Sequence, residues 1–192
     1  KTFTILQNDD FNIFSHLSSE EYARVRELII YVILHTDMLN HFELETQIKT
    51  FIKTKGVDAF NQTKESKKLL ASSLLHLADI SNPAKSFAIA RYWACCSMEE
   101  YFQQGVKEKD LQLPVSPMCD KDCAAMVPSS QMGFITYIAL PYFATLSEVI
   151  GDLKETALVN LQENVRLWGL LEGKTVDELI MCGALPASLQ EK

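Results

Sequence analysis

The spacing of apolar residues along the first half of the chain predicts three amphipathic helices. The first begins after Ser18, which stands three residues before Glu21 at the spacing of a capping box. The second ends at Gly56, and the third approaches Asp79 before Pro83 breaks it. Apolar side chains recur at intervals of three and four residues, at Tyr22, Val25, Leu28, Ile29, Val32 and Ile33, then Phe42, Leu44, Ile48, Phe51 and Ile52, then Leu69, Leu70, Leu74 and Leu75.

The middle of the chain predicts one long helix and one long loop. The helix runs from Phe87 to Gln104 and ends before Gly105. The segment 107–128 contains three prolines, which predict a loop with little regular structure. Loops of this length often carry functional residues.

Two further helices complete the pattern. A strongly apolar stretch predicts a buried helix over residues 129–150 with a kink at Pro141. Residues 152–171 form the last amphipathic helix, and Gly173 lies beyond it. No stretch of useful length alternates apolar and polar residues, so the pattern predicts an all-α fold.

The composition is that of one globular domain, or of one lobe of a larger domain. The 192 residues are 47% hydrophobic, which provides for a sizeable core. The net charge is -7, and the lack of a basic run argues against nucleic-acid or acidic-membrane partners. The most apolar stretch, residues 133–146, is shorter than the about 20 residues that span a bilayer. The start has no signal peptide and no methionine, so we expect the numbering to begin inside a longer protein.

The cysteines predict free thiols in a reducing compartment. There are five, an odd number, and Cys95 and Cys96 are too close in sequence to pair with each other. Cys119 and Cys123 are four residues apart, but no second cysteine or histidine pair completes a zinc site.

The stretch HLADISNP, residues 76–83, raises the question of what balances Asp79. This carboxylate stands at the end of an apolar helix, where it opposes the helix dipole, and no lysine or arginine is beside it. A buried carboxylate needs a cation or strong hydrogen-bond donors. A nearby hydroxyl or backbone group, a distant arginine and a metal ion each meet that need, and the pattern alone leaves all three open.

Two other polar groups stand in apolar surroundings. The stretch HTDM, residues 35–38, ends the first helix, and simple helix termination is a sufficient account of it. Gln131 begins an apolar helix, with Phe134 one turn later on the same face. An amide beside an aromatic ring suits a planar heteroaromatic ligand. A glutamine at a helix N-terminus over a core phenylalanine gives the same pattern.

Several motifs, taken in order, resemble those of one enzyme family. They are IFSHLSSEEYARVRELIIYVILHTDMLNHFEL, HLADISNPAK, RYWACCSMEEYFQQG, LPVSPMCDKD and SSQMGFITYIALP. Together they resemble the C-terminal part of class I cyclic nucleotide phosphodiesterase catalytic domains, with the greatest likeness to the cAMP-hydrolysing and calmodulin-regulated branches. The likeness covers nearly the whole chain.

The resemblance implies a fold and a reaction. The family has an all-α, multi-helical bundle of the HD-type metal hydrolases, and it hydrolyses the 3′ phosphoester of a cyclic nucleotide to the 5′-monophosphate. Two divalent ions, zinc plus magnesium or manganese, activate the attacking water. By the same resemblance, Asp79 is a metal ligand and Thr36 holds a metal-bound water.

The resemblance also implies a purine pocket. Gln131 hydrogen-bonds the base, Phe134 stacks on it and Asn82 faces it. An asparagine at this position is seen in adenine-preferring members, so we expect cAMP rather than cGMP as the substrate. Further pocket residues implied by the resemblance are Met38, Met118, Tyr101 and Trp93.

The chain departs from the family pattern in two ways. The residue that faces the stacking phenylalanine across the base is usually aliphatic, and by spacing it is Ser97 here. The HNxxH motif with the general-acid histidine and the HD pair are absent, and both would lie upstream of Lys1. None of the histidines present stands in such a motif, and we do not assign metal ligation to His16, His35, His41 or His76.

Residues 1–192 are therefore expected to be the C-terminal portion of a single catalytic domain. No catalytic residue is assigned within them, and the isolated chain is expected to be inactive because one carboxylate cannot hold a catalytic metal. The expected partners are the cyclic nucleotide, the upstream segment of the same protein and a second copy in a homodimer. We expect a cytoplasmic location, with any membrane association arising outside this chain.

The alternative is a non-catalytic helical module that keeps a degenerate form of this fold as an interaction or nucleotide-sensing surface. The stretch before Lys1 separates the two hypotheses. Intact histidine and histidine-aspartate motifs there favour the enzyme, and their absence favours the module.

Overall fold

The computed structural model describes residues 1–121 and 127–174. The chain divides into two compact units, residues 1–76 and 77–192. Helices and turns make up the regular structure of the described residues, among which there is no strand, so the predicted all-α fold is confirmed. None of the described helices is long and apolar enough to cross a membrane.

The first unit contains the first three helices and most of the fourth, which runs on to Asp79 in the second unit. Short 3₁₀ turns at Asp9–Phe11, Met38–Asn40 and Val57–Asn61 connect or precede them. The helices are α1 (Thr2–Ile5), α2 (Ser19–Leu34), α3 (His41–Lys55) and α4 (Lys64–Asp79).

The ends of α2 and α3 follow the local sequence. Ser18 and Glu21 form the predicted capping box: the Glu21 backbone N–H donates to Ser18 Oγ at 3.3 Å, and the Ser18 N–H donates to the Glu21 carboxylate at 2.9 Å. Gly56 ends α3 with a φ of 78°, a conformation that glycine adopts without steric cost. Both predicted boundaries are confirmed.

A pair of buried histidines lies in the core of the first unit. His41 at the start of α3 and His76 on α4 are both 0% exposed, and Nδ1 of His41 lies 2.9 Å from Nε2 of His76. One turn after His41, the buried Glu45 accepts a hydrogen bond from Lys49 at 2.6 Å. Burial, and secondarily His76, lower the pKa of His41, while Glu45 opposes the shift.

The described residues of the second unit contain four more helices and a π-helical segment. Short 3₁₀ turns lie at Asn82–Ala84, Pro117–Cys119 and Gly151–Leu153. The helices are α5 (Phe87–Asp110), α6 (Val127–Phe134), α7 (Leu140–Leu146) and α8 (Ala157–Gly169).

The π-helical segment Ile135–Ala139 joins α6 to α7 without a break in the helical path. The Leu140 N–H donates to the Ile135 carbonyl, five residues earlier. Pro141 has no N–H for the carbonyl four residues before it, and a widened turn is a common response to this loss. The predicted helix through Pro141 is therefore present, and it ends at Leu146 rather than at residue 150.

Helix α5 does not end before Gly105, as its sequence predicted. It continues to Asp110, and Gly105 lies buried within it against the backbone of Cys119. A Cβ at Gly105 would lie 2.0 Å from the carbonyl oxygen of Cys119. The glycine therefore allows a close approach of two backbones, and this tertiary contact overrides its local role as a helix end.

The predicted loop 107–128 is shorter than expected. Its first four residues belong to α5, and a 3₁₀ turn occupies Pro117–Cys119. Residues 122–126, including Cys123, lie outside the described residues, as does Cys182. Cys95, Cys96 and Cys119 are in the thiol form rather than in disulfides, as predicted.

Helix α8 lies at the centre of the second unit. It begins at Ala157, later than the predicted residue 152, because Gly151–Leu153 forms a separate 3₁₀ turn. It packs against α5, α6, α7 and the Asn82–Ala84 turn. The core side chains around it are almost fully buried and include Ile135, Tyr142, Leu146, Leu161 and Trp168.

Replacing Gly105 with alanine should destabilise the chain. The new Cβ forces the α5 backbone away from Cys119, and overpacking of this kind costs about 1–3 kcal/mol of unfolding free energy. Gly133→Ala is the matched control: it is also helical, nothing lies within 4 Å of its added Cβ, and the change should be neutral or stabilising. Urea unfolding followed by circular dichroism measures both variants, and equal midpoints for the two would contradict the prediction.

The buried histidine pair should make the chain less stable in mild acid. An unfolded histidine takes up a proton near pH 6.5, whereas the pKa of folded His41 is lower. Because the unfolded state then binds more protons, the unfolding free energy should fall as the pH drops below about 6.5.

The His41→Gln variant should show a weaker fall. The measurement is urea unfolding at about pH 7.5 and about pH 5.5. His16→Gln, which changes an exposed histidine, provides the control and should keep the wild-type dependence. Identical pH dependence in the His41 variant and the wild type would exclude the buried pair as its source.

Candidate functional site

The candidate residues are divided between the two units. Thr36 and Met38 belong to the first unit, whereas the others belong to the second. The Thr36 hydroxyl donates to the Ile33 carbonyl at 2.8 Å at the end of α2, and Met38 begins the following 3₁₀ turn with 43% of its surface exposed. Thr36 thus lies at the end of α2, and Met38 lies in the turn that connects α2 to α3.

Asp79 is the last residue of α4, and its side chain is exposed. Within the described residues it forms no ion pair or hydrogen bond, so the premise that a buried carboxylate needs a balancing cation does not hold here. Exposure at a helix end removes the desolvation cost that the premise assumed. The case for metal binding therefore rests on the family resemblance and not on burial.

The metal site that the resemblance implies is incomplete in the described part of the chain. No group of three or more histidine, cysteine, aspartate or glutamate side chains in residues 1–121 and 127–174 is arranged to hold a metal ion. Catalytic metal sites usually have at least three protein ligands. Asp79 supplies one carboxylate, which by itself does not fit such an ion.

Asn82 lies three residues after Asp79, at the first position of the 3₁₀ turn Asn82–Ala84, and it is exposed. The next two residues, Pro83 and Ala84, are buried against α5 and α8. The turn therefore has a fixed inner side and presents Asn82 outward, which leaves its amide available to a ligand.

Helix α5 has one buried and one accessible face. Its inner stripe consists of Ala90, Ala94, Met98, Phe102 and Gly105. Trp93, Ser97 and Tyr101 follow one another at intervals of four on the other face, where Trp93 is 46% exposed and Tyr101 is 40% exposed. The small Ser97 thus lies between two larger aromatic side chains on an accessible surface.

Gln131 and Phe134 lie one turn apart on α6, and both are half-buried. Neither is a core residue: the fully buried positions begin at Ile135 in the π-helical segment. A half-buried amide one turn from a half-buried aromatic ring can be reached by a planar ligand. It disfavours the interpretation of Phe134 as a core residue beneath Gln131.

The extension of α5 beyond Gly105 positions the turn that contains Met118. The Glu108 carboxylate accepts hydrogen bonds from the Ser116 backbone N–H at 2.8 Å, the Ser116 hydroxyl at 3.1 Å and the Gln104 amide at 2.8 Å. The Ser116 backbone N–H, followed by the Gln104 amide, lowers the pKa of Glu108. Met118 follows in the turn and is 55% exposed.

Two asparagines on α8 were missed by the sequence analysis. Asn164 is 1% exposed, and its Nδ2 donates to the carbonyls of Pro83 at 2.7 Å and Lys85 at 2.8 Å. Asn160 Nδ2 donates to the Ala84 carbonyl at 3.0 Å. The sequence could have indicated them, because asparagine is unfavourable in a helix interior and two asparagines stand in this apolar helix.

Helix α8 joins the parts of the candidate site that lie in the second unit. It contacts the Asn82–Ala84 turn, helix α5, which carries Ser97, and helix α6, which carries Gln131 and Phe134. The turn and the two helices that carry the predicted purine-binding residues of the second unit therefore all pack against α8.

The sequence matches a known family model. The model of the 3′5′-cyclic nucleotide phosphodiesterase family matches residues 1–161 of the 192.

Curated relatives of known name are also similar. The mouse (Mus musculus) 3′,5′-cyclic-AMP phosphodiesterase 4C is 37% identical over 170 residues, which cover 86% of this chain and 24% of that protein. The human (Homo sapiens) dual specificity calcium/calmodulin-dependent 3′,5′-cyclic nucleotide phosphodiesterase 1B is 43% identical over 148 residues, which cover 77% of this chain and 26% of that protein. The chain thus spans about a quarter of the length of these relatives.

A solved structure has the same fold. LmjPDEB1, in complex with IBMX, superposes with a TM-score of 0.79 at 24% sequence identity. The match covers 88% of this chain and 50% of that one, so the described helices correspond to part of a larger fold.

Proposed function

The chain belongs to the 3′5′-cyclic nucleotide phosphodiesterase family, and from this membership we propose that the whole protein hydrolyses cAMP, and less readily cGMP, to the 5′-monophosphate in cyclic-nucleotide signalling. The observation that carries the proposal is the family match over residues 1–161. This chain contributes the purine pocket and one metal ligand.

The purine pocket is proposed to lie where α5, α6 and the Asn82 turn present accessible side chains. The Gln131 amide both donates and accepts, so it can pair with the polar edge of the base, and Phe134 supplies an aromatic face. Ser97, Tyr101, Trp93 and Met118 are proposed as wall residues of this pocket, and Met38 is proposed as a pocket residue on the resemblance alone. Their partial exposure supports this role, because a ligand can reach them.

The preference for cAMP rests on Asn82. Its amide is exposed on a turn whose inner side is buried, and it resembles the asparagine of adenine-preferring family members. An amide can donate to the ring nitrogen of adenine and accept from its amino group. We therefore place Asn82 beside the polar edge of the base.

The whole protein is proposed to use two divalent ions, zinc plus magnesium or manganese, with Asp79 as one ligand. Such ions supply an activated water at neutral pH. Thr36 is proposed to orient a metal-bound water through the free lone pairs of its hydroxyl, whose proton is donated to Ile33. Because the described residues provide a single carboxylate, the remaining ligands and the general-acid histidine are proposed to come from upstream of Lys1.

The surface of the first unit supports the need for an upstream segment. Three apolar side chains close together in sequence lie largely in solvent: Leu34 is 64% exposed, Leu39 90% and Phe42 60%. Contiguous exposed apolar surface usually marks an interface. We propose that the upstream part of the same protein covers it and that the isolated 192-residue chain is inactive. The exposed apolar surface is also compatible with a homodimer.

We also propose a cytoplasmic location. The three described cysteines are in the thiol form, outside any disulfide, and Cys96 is exposed. Free exposed thiols persist in reducing compartments.

Replacing Asp79 tests the metal assignment. In the full-length protein, Asp79→Asn should lower kcat/KM by about 100-fold or more and reduce the bound zinc, because a neutral amide is a poor metal ligand. Asp152→Asn, another exposed aspartate of the second unit, is the control and should leave both unchanged. Activity assays together with metal analysis by mass spectrometry measure the two effects. Full activity with full metal content in the Asp79 variant would remove it from the site.

Replacing Gln131 tests the purine pocket. In the full-length protein, Gln131→Ala should lower kcat/KM for cAMP, because the polar edge of the base loses its partner. The expected loss of transition-state stabilisation is about 1–3 kcal/mol. Gln162→Ala, an exposed glutamine on α8, provides the control. If the Gln131 variant keeps wild-type kinetics for both cAMP and cGMP, the base binds elsewhere. If the wild-type protein hydrolyses neither nucleotide, the alternative of a non-catalytic module is favoured.

A further inference from the structure

The segment between α4 and α5 contains two of the proposed site residues and has little structure of its own. Asp79 ends α4, Asn82 follows three residues later, and Phe87 begins α5. Within the turn, the Ala84 N–H donates to the Ser81 carbonyl at 2.9 Å and the Lys85 N–H donates to the Asn82 carbonyl at 3.3 Å. These local bonds shape the turn but do not hold it in place against the rest of the unit.

Side chains of α8 hold the turn in place. Asn164 and Asn160 together donate to three consecutive carbonyls, those of Pro83, Ala84 and Lys85, over distances of 2.7 to 3.0 Å. The partners are 76 to 81 residues apart in sequence. Both donor hydrogens of the buried Asn164 amide are used, one for each of two carbonyls.

A third contact extends the same stripe of α8. Asn160, Asn164 and Trp168 follow at intervals of four residues, so they lie on one face of the helix. Trp168 is 1% exposed, and its ring meets the Phe87 ring edge-on at 5.4 Å between centroids. One face of α8 therefore contacts residues 83–85 of the turn and Phe87 at the start of α5.

The other side of α8 supports the residues proposed to bind the base from α6. Helix α8 packs against α6, and at Gly169 a Cβ would lie 3.5 Å from the sulfur of Met132, the residue after Gln131. Helix α8 thus contacts both the turn that carries Asn82 and the helix that carries Gln131, while α5 and the π-helical segment pack against the other sides of the turn. A small shift of the turn against α8 would change the angle at which both amides meet one planar base.

We propose that Asn164, assisted by Asn160, is a positioning residue that fixes Asn82 relative to the purine and so sets the selectivity between adenine and guanine nucleotides. The inference rests on the proposed function. Asn164 contacts no substrate itself and acts through the backbone of residues 83–85. It lies beyond residues 1–161, the part of the chain that matches the family model.

Binding of the reaction products tests the proposal without requiring turnover. In the full-length protein, the dissociation constants for 5′-AMP and 5′-GMP are measured by calorimetry for wild type, Asn164→Ser and Asn160→Ala. Asn164→Ser should weaken 5′-AMP binding by about tenfold and change 5′-GMP binding much less, since misplacing one hydrogen-bonding amide costs about 1.4 kcal/mol for the base it recognises. For the hydrolysis reaction, the KM for cAMP should rise more than kcat falls.

Asn160→Ala is the milder variant and keeps the proposal testable if Asn164→Ser does not fold. Asn160 is only partly buried and donates one hydrogen bond in the set. The ratio of the two dissociation constants should move in the same direction by about two- to threefold. Gln162→Ala, an exposed residue on another face of α8, should leave the ratio unchanged.

A double-mutant cycle separates positioning from general stability. If Asn164 acts through Asn82, the variant Asn82→Ala should already have lost the selectivity, and adding Asn164→Ser should change the ratio by less than about twofold. A merely structural role would weaken both nucleotides equally, or its effect would add fully to that of Asn82→Ala. Either result in folded variants would overturn the proposal.

The failure of the proposed function gives a different result. A wild-type protein that binds both products but hydrolyses neither cyclic nucleotide contradicts the enzyme and leaves the selectivity measurement valid. A wild-type protein that binds neither product overturns both the purine pocket and the positioning role.

Discussion

The hydrogen bonds from Asn160 and Asn164 to the backbone of residues 83–85 join the first turn of the second unit to its last described helix. They join segments that are distant in sequence, and they satisfy three carbonyls that have no partner within their own turn. An amide buried without its hydrogen bonds costs a large fraction of the stability of a domain, so the turn and α8 are constrained to move together. Helices α5, α6 and α7 also pack on α8, so α8 connects the described helices of this unit to the turn.

In both units, polar groups in the core differ from the accessible polar groups in how they are bonded. In each, the groups in the core are paired with one another: a histidine with a histidine in the first unit, and amides with carbonyls in the second. The side chains proposed to meet a ligand, such as Asp79, Asn82 and Gln131, are accessible or half-buried. A preorganised binding site needs paired polar groups in the core beneath it and accessible side chains at its surface. Ordering such a site when a ligand binds then costs little free energy.

The sequence predicted the helices where local chemistry decides and missed the features that depend on distant contacts. The Ser18 capping box and the Gly56 helix end were both correct because each involves neighbours in sequence. Gly105 was wrong because its role depends on Cys119, which returns to the helix through a turn. The family resemblance, not the periodicity, identified Asp79, and the expectation of its burial was wrong. The Asn164 amide was overlooked because its partners, the carbonyls of Pro83 and Lys85, are about 80 residues away in sequence.

The π-helical segment before Pro141 affects which side chains along the path from α6 to α7 face the surface and which face the core. A π turn holds one residue more than an α turn, and one residue corresponds to about 100° of rotation around a helix axis. The helical phase of α6 is therefore offset from that of α7. Gln131 and Phe134 can point to an accessible side while Tyr142, Phe143 and Leu146, farther along the same path, are turned fully into the core. The added residue rotates the side-chain directions of α7 relative to those of α6. One continuous helical path can therefore present side chains to the surface at one end and to the core at the other.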